Sequence, residues 1–385
     1  MKLYEFEGKQ LLKEAGIPVP ESYLIESPNQ LKQTKNEIVI KAQTMAGGRG
    51  KAGFIICVKS KIEAEIEVNK ILGSKHKEEV IKKILIEEKV NAKKEYYLSI
   101  IYNTKSRKPN IIISKYGGID VEEMRKINPN DFIIEEINIL EQINEHEIAK
   151  KAELPQLAPI IKQCYELFMN KDMKLLEINP LIETQSNEIV AADAVIILDD
   201  DAFFRQNYNF PPRIGTGREK TEREIAANNI SNMDHRGIAG KTFIDLDGDI
   251  AVLASGGGAS ITAVDALLSY NAKPANYTEY SGNPSPEKVE ALTRLVLDIP
   301  NLKGLFVVGA KANFTNIKET IEAILKVIKE KKPKYPIVFR RAGPGDEEAK
   351  KIVEEAGYEW YGQETPITVA AKIMADKVRE YKNDK

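Results

Sequence analysis

Apolar positions recur along this chain with two periods, and the alternation between them sketches two regions of different build. LYEFEGKQLLKEAGI sets Leu3, Phe6, Leu11 and Leu12 at helical spacing and ends at Gly16, which predicts an opening amphipathic helix. Pro18 and Pro20 then force an extended segment. The β-branched runs IVIK and FIICV flank a glycine-rich stretch and predict strand, loop, strand. A helix is predicted over IEAEIEVNKILG, strands within VIKKILIEEKV, EYYLSIIYN and IIISK, a helix over LAPIIKQCYELFMNKD, and strands over LLEINPL and EIVAADAVIIL. This irregular mixture predicts an α+β domain over residues 1–235.

Between Asp199 and Gly240 the pattern breaks, and FPPRIGTGREKTEREIAANN reads as a connector carrying one helix. Beyond it, over 236–385, the chain is regular. Strands IAVLAS, ANYTEY, GLFVVG, PIVFRR and the weaker YEWYG alternate with helical stretches, which predicts five βα units in a doubly wound, flavodoxin- or Rossmann-like parallel sheet. Such sheets bind ligands at the carboxyl ends of their strands. Those ends are SGGGAS, YSGNPS, GAKANFTN and RRAGPG, glycine- or hydroxyl-bearing turns before helix N-termini, which favour anions. Ordinary helix capping explains any one of these loops. Four on one edge, one with paired arginines, point to a pocket for carboxylates or phosphate.

The stretch KAQTMAGGRGKAGF, Lys41 to Phe54, narrows the chemistry of the first region. Gly48, Gly50 and Gly53 formally spell the dinucleotide fingerprint, but that motif must open a helix and here a strand follows. A phosphate-binding loop of the Walker type needs Ser or Thr after Gly50-Lys51, and Ala52 stands there. What remains is a β-hairpin lid over a triphosphate, with Lys41 on the entering strand and Arg49 and Lys51 at the tip; the bland alternative is a solvated basic turn. In LLEINPL, Glu177 and Asn179 stand two apart and so share a strand face, and Asp193 is a carboxylate inside an apolar strand. Buried carboxylates are costly unless paired or on a metal, so Asn179 and Asp193 are candidate Mg²⁺ ligands, against the alternative of a buried polar network. Glu87 and Glu95 flank the hinge EEKVNAKKE, where an acid can accept from ribose hydroxyls while backbone groups read the base.

Composition limits the partners. The chain of 385 residues has a net charge of −2, which argues against bulk nucleic-acid binding. No apolar run approaches about 18 residues, and MKLYEFEGKQ does not resemble a signal peptide. Cys57 and Cys164, both set among apolar residues, are too few for a disulfide framework, so a cytoplasmic protein is expected. His76, His146 and His235 are the only histidines, and none has a glycine-rich setting suited to a phosphoryl carrier; His235, in the connector, reads as surface or interface.

KAQTMAGGRGKAGF, LLEINPL and Asp193 together resemble the ATP-grasp half of the nucleotide-binding β subunits of the NDP-forming acyl-CoA synthetase family, of which succinyl-CoA synthetase is the best-known member. The resemblance covers essentially the whole chain. It implies that Lys41, Gly48, Arg49, Gly50, Glu87, Val90 and Glu95 hold ATP, that Asn179 and Asp193 hold Mg²⁺, and that Glu177 orients a phosphorylated histidine. That histidine, and most of the CoA site, is implied to lie in an α-type partner subunit, in a hetero-oligomer.

The second half resembles ATP-citrate lyase and citryl-CoA synthetase: EYSGNPS and GAKANFTN stand where succinyl-CoA synthetases carry a triple-glycine loop and a glycine pair. Citrate, with three carboxylates and a hydroxyl, needs more donors than a dicarboxylate. The resemblance implies a citrate site of Ser281, Gly282, Asn313, Phe314, Thr315 and Arg341, with Arg341 rather than Arg340 turned inward and acting with Glu177 in the reaction. One segment, DDDAFFRQ, is closer to the succinyl-CoA synthetases, so a succinate- or malate-CoA ligase β subunit is the alternative; a non-catalytic nucleotide-binding regulatory subunit is a further one. Cleavage of citryl-CoA would need a citrate-synthase-like domain, which the sequence does not contain and the partner would have to supply.

Overall fold

The computed structural model describes residues 1–33, 36–77, 79–118, 121–211, 213 and 219–383. The chain forms two compact units, Met1–Glu219 and Lys220–Lys385.

Besides a two-stranded ladder of Lys75–His76 with Glu79–Val80, the first unit holds two main antiparallel sheets. In the smaller, the strands run in the order Ser22–Ile25, Ile84–Glu88, Ile38–Ala42, Ile55–Val58, so the runs on either side of the glycine loop pair as a hairpin, Ile38 opposite Val58 and Lys41 opposite Ile55. Ile38, Ile40 and Ala42 enter a core with Ala64, Val68 and Ile71 of the helix Lys61–Ile71, whose N-terminus is capped by Ser60. Alternation therefore turns Val39 and Lys41 to the opposite face, where the functional cleft lies.

The larger sheet is centred on the long strands Ala92–Tyr102 and Met173–Thr184, with Pro109–Ser114 and Phe132–Glu136 beyond the first. The helix Ala158–Asn170 lays Ile161, Cys164, Leu167 and Phe168 on it at 3–4-residue spacing. EIVAADAVIIL, expected as one strand, forms two, Ile189–Ala191 and Val195–Leu198, and Asp193 falls in the break between them. The break frees Asp193 from strand geometry, and its Oδ1 accepts from the Ala194 amide at 2.8 Å. The opening helix, Glu5–Glu14, buries Leu11 and Leu12 as its periodicity predicts, but it also buries Glu5, Glu7 and Lys9, and Phe6 is only half-buried. Cys164 is buried, whereas Cys57 is exposed, contrary to its apolar sequence setting.

Inside this sheet Glu183, 5% exposed, accepts from Lys93 Nζ at 2.7 Å, from Tyr96 Oη and from Gln156 Nε2 at 3.2 Å. These donors, Lys93 and Tyr96 foremost, draw its pKa down to about 2. A carboxylate depressed in the folded state contributes stability above its unfolded pKa and loses it as pH falls toward the folded value. Glu183→Gln should therefore destabilise the first unit by about 1–3 kcal/mol at pH 7. In denaturant titrations the difference from wild type should shrink as the pH drops from about 4.5 toward 2; a pH-independent difference would argue against this network.

The second unit is a six-stranded sheet in the order Ile238–Ala239, Glu279–Ser281, Ile250–Ser255, Gly304–Lys311, Ile337–Ala342, Glu359–Tyr361. Its five parallel strands follow the flavodoxin-like order 2-1-3-4-5. Helices Pro286–Leu297, Ile317–Lys331 and Asp346–Glu355 cover one face, and Gly257–Ser269 and Ile367–Asn383 the other.

Three features differ from the periodicity reading. The edge strand Ile238–Ala239 runs antiparallel to its neighbour and was not expected. ANYTEY splits because the Asn276 side chain takes over strand pairing, its amide bonding both the N–H and the C=O of Val252 at 2.9 Å. The division between units falls at 219/220 rather than at 235, because the helix Glu222–Ser231 buries Ala227 in the core of the second unit. Most of the connector stretch Pro212 to Arg218 lies outside the described residues.

Candidate functional site

In the first unit a cleft of about 200 Å³ is lined by Lys41, Glu87, Val90, Asn179 and Asp193, all singled out from the sequence, and by the apolar Val39, Ile55 and Ile182. Its floor is a compact charge cluster. Lys41 Nζ lies 2.7 Å from Glu87 Oε1, 2.9 Å from Glu5 Oε1 and 2.5 Å from the carbonyl oxygen of Ala192. Lys9 enters from the opening helix to the same Glu5 Oε1 at 2.8 Å, to Ala192 O at 2.8 Å and to Glu87 Oε2. Arg49 reaches Glu5 Oε2 at 2.6 Å, the Ala42 carbonyl at 3.0 Å and Asp193 Oδ1 at 3.2 Å.

Arg49 is thus folded inward, its side chain only 11% exposed, instead of standing at the tip of a solvated loop. The glycines around it allow this reversal: Gly48 has φ +86°, and Phe54 N bonds back to the Arg49 carbonyl at 2.9 Å. Gly48 and Gly50 have no heavy atom within 4 Å of where a Cβ would stand, so the loop's outer backbone is open to a ligand.

Burial and charge compete differently at each member of the cluster. At Glu5 burial opposes ionisation, yet Lys41, Lys9 and Arg49 hold its carboxyl well below the usual range. Lys41 is lowered by burial but raised on balance by Glu5, Glu87 and Asp193. Lys9 is lowered, because burial and Lys41 outweigh Glu5 and Glu87. Asp193 is raised by burial and by Glu5 in spite of Arg49 and Lys41. A polyanion entering the cleft therefore meets Lys41 and Arg49 already charged.

Glu87 departs from its expected part: both its oxygens are engaged by Lys41 and Lys9, so in this state it anchors Lys41 rather than presenting a free acceptor to ribose. Glu95 stays exposed, its carboxylate beside Gly118, and does not line the cleft. Asn179 Oδ1 accepts from Gly118 N at 2.7 Å and shares the cleft with Asp193. An amide oxygen and a carboxylate form the hard-oxygen set that suits Mg²⁺, which keeps its remaining positions for water and phosphate. Glu177 lies half-buried on the same strand, and its charge reaches Lys2, whose ammonium donates to Met45 O at 2.6 Å.

Glu5 and Lys9 were missed by the sequence reading. An acid and a base four apart on an amphipathic helix have the signature of an exposed ion pair, and only the strands packed over that helix make them interior. Of the histidines, His76 packs edge-on against Phe54 under the glycine loop, His146 belongs to the helix Glu145–Lys151, and His235 is exposed.

In the second unit the four loops at the carboxyl edge are tied together. Gly256 N bonds Tyr280 O at 3.1 Å, Asn316 N bonds Asn283 Oδ1 at 3.4 Å, Ala312 N bonds Ala342 O at 2.9 Å, and Ile317 N bonds Pro344 O at 2.9 Å. Arg341 lies at their centre, 0% exposed. Its guanidinium crosses Gly309, where a Cβ would fall on it, and stands 5.6 Å from the Tyr280 ring. None of its three nitrogens has a hydrogen-bond partner among the described residues. Arg340, as strand alternation predicts, turns the other way and donates to the carbonyls of Thr365 at 2.8 Å and of Gly309. Thr315 is buried, Ser281 half-buried, and Gly282, Asn313 and Phe314 exposed, so the loop backbone faces solvent before the helix Ile317–Lys331. A buried guanidinium lacking acceptors, beneath open amides and hydroxyls, is arranged to receive an anion with several oxygens.

Comparison with known proteins agrees with this division. Residues 2–183 match the ATP-grasp domain family, and residues 218–375 match the family described as ATP citrate lyase citrate-binding. The ADP-forming succinate–CoA ligase β subunit of Methanocaldococcus jannaschii is 34% identical over 388 residues, covering 98% of this chain and 100% of that protein. The GDP-forming counterpart from Thermus thermophilus is 32% identical over 386 residues, covering 97% and 98%. Among solved structures, ATP citrate lyase from Methanothrix soehngenii in complex with citrate and coenzyme A superposes with a TM-score of 0.76 over 97% of this chain and 99% of that one; at 23% identity this shows a shared fold. With an ATP-grasp unit, a doubly wound parallel-sheet unit and relatives alike along nearly its whole length, the chain belongs to the β-subunit family of the NDP-forming acid–CoA ligases, the family of the succinate–CoA ligase β subunits.

Proposed function

We propose that this chain is the nucleotide-binding subunit of an enzyme that activates citrate with ATP and CoA, an ATP-citrate lyase or citryl-CoA synthetase. The observation that carries the reading is Arg341: a fully buried guanidinium with no acceptor, set among the donor loops YSGNPS and ANFTN. The match of residues 218–375 to a citrate-binding family supports the same assignment.

In this reading Lys41 and Arg49 exchange their carboxylate partners for the phosphates of ATP, the open amides around Gly48 and Gly50 close over them, and Val90 flanks the nucleoside. Mg²⁺ held by Asn179 and Asp193 would neutralise phosphate charge. A histidine nitrogen of an α-type partner subunit, oriented by Glu177, takes the γ-phosphoryl group and ADP leaves. A carboxylate of citrate, held by Arg341, Ser281, Thr315, Asn313 and the amides of Gly282 and Phe314, then attacks phosphorus and frees the histidine. The CoA thiolate finally displaces phosphate from citryl phosphate. The covalent relay divides one difficult acyl activation into smaller steps. CoA is bound mainly by the partner, which would also carry any citrate-synthase-like domain, and the complex works in the cytoplasm.

A second reading, activation of a dicarboxylate such as succinate or malate by the same machinery, is favoured by the names of the sequence relatives. The two are separated by ADP release from Mg-ATP and CoA in the complex with the partner subunit, assayed with citrate, succinate and malate in turn. Citrate is expected to support turnover at least about tenfold better in kcat/KM; turnover with succinate and none with citrate overturns the assignment.

A further inference from the structure

We infer that Lys288 is a positioning residue for the acid-binding loop: its buried ammonium clamps the segment Asp234–Gly237, and that segment forms the wall against which Ser281 and Gly282 are set. The inference rests on the reading of Ser281 and Gly282 as part of the acid site.

Lys288 occupies the first turn of the helix Pro286–Leu297 and is 0% exposed. Its Nζ donates to three backbone carbonyls of one short segment, Asp234 at 2.7 Å, Arg236 at 3.1 Å and Gly237 at 3.2 Å, and lies 3.2 Å from Asp234 Oδ1. An ammonium has three protons and no acceptor, so these contacts use its whole donor capacity. Asp234 is fastened from two further sides, by Ser285 Oγ at 2.5 Å and by the Arg236 amide at 2.7 Å. The hydrogen bond from Ser285 is the first cause that draws its pKa to about 2.

The clamped segment touches the loop directly. Gly237 has φ +49°, and a Cβ there would stand 2.5 Å from the Ser281 carbonyl oxygen and 2.6 Å from that of Gly282. Ile238 and Ala239 then pair with Ser281 and Tyr280 as the antiparallel edge strand. From the loop the contact passes through Asn283 Oδ1 to the Asn316 amide at 3.4 Å, the cap of the next helix. One ammonium thus sets both donor loops without touching the acid. A charge buried this completely is costly unless its partners are fixed, and its partners are backbone oxygens of the segment that backs Ser281.

The test is a KM split in the complex with the partner subunit. Lys288→Met is expected to raise the KM for the acid that the wild-type complex accepts by about tenfold or more while leaving the KM for Mg-ATP within about twofold, and Lys288→Arg to recover part of the loss. A folded Lys288→Met complex with unchanged acid KM, or with both KM values raised alike, overturns the inference. Gly237→Ala decides the matter if Lys288→Met does not accumulate as folded subunit: it leaves the ammonium in place and pushes on Ser281 and Gly282. It should raise the acid KM alone, and an unchanged acid KM overturns the inference. A wild-type complex that ignores citrate but uses another acid removes the citrate assignment and leaves this test intact.

Discussion

Replacing Arg341 by methionine is expected to make the protein more stable and nearly inactive. The guanidinium is fully buried and none of its nitrogens has a partner among the described residues. Replacing buried ionic groups with apolar side chains of similar volume is often neutral or stabilising by about 1–4 kcal/mol, and a guanidinium without an acceptor has no pairing energy to lose. For a unit of this size each kcal/mol corresponds to a melting-temperature rise of about 2–4 °C. Methionine suits the slot because it is unbranched and flexible, and Gly309 already leaves room for a long side chain there. Activity should move the other way. Losing a charged group that pairs with a buried carboxylate costs about 2–5 kcal/mol, so acid-dependent kcat/KM should fall by about 30-fold to a few thousand-fold. Arg341→Lys keeps the charge without the bidentate fork and should lose most of the activity with no gain in stability. The check is a melting curve beside citrate-dependent ADP release. A variant that melts lower than wild type and still turns over citrate would show that Arg341 is a structural residue.

Glu5→Gln should have the largest effect on stability in the first unit. Around the cleft floor the cations Lys9, Lys41 and Arg49 balance the carboxylates Glu5, Glu87 and Asp193, and Glu5 alone touches all three cations. Glu5, Lys9 and Lys41 are each buried. Removing one member of a buried charge network leaves uncompensated charge and costs about 3–5 kcal/mol. Glutamine retains the shape and one acceptor, so the loss reports the charge rather than a cavity. The double variant Glu5→Gln, Lys9→Met removes one charge of each sign and should recover at least about half of the loss, a coupling that a double-mutant cycle measures directly. Additive losses would mean that Lys9 and Glu5 do not share a network.

The two regions of the chain differ in how much their sequences disclosed. The glycine hairpin was legible because β-branched residues on both sides of KAQTMAGGRGKAGF exclude a helix there, and the strands Ile38–Ala42 and Ile55–Val58 pair accordingly. The parallel sheet was legible because continuous apolar runs alternate with amphipathic helices, which leaves few ways to bury both faces. Lys41, Glu87, Val90, Asn179 and Asp193 were picked by motif, and the structure gathers them on one cleft. Less was legible where polar residues are interior. Glu5 and Lys9 look like a surface pair, and Lys288 like one of many helix lysines, because burial of a charge depends on what covers it from elsewhere in the chain.

By itself, then, the sequence determined the order of elements, the glycine hairpin, the doubly wound sheet and the opposite facing of Arg340 and Arg341, since each follows from local period and residue shape. Only the tertiary structure decided that Arg49 folds back onto Glu5 and Asp193, that Glu87 anchors Lys41, that Asp193 sits in a break between strands, and that Arg341 lies buried without an acceptor. Those are matters of which charges meet where water is largely excluded. No local pattern encodes them, because the partners are separated by up to 144 residues, Arg49 to Asp193, and meet only when the sheets and helices close over them.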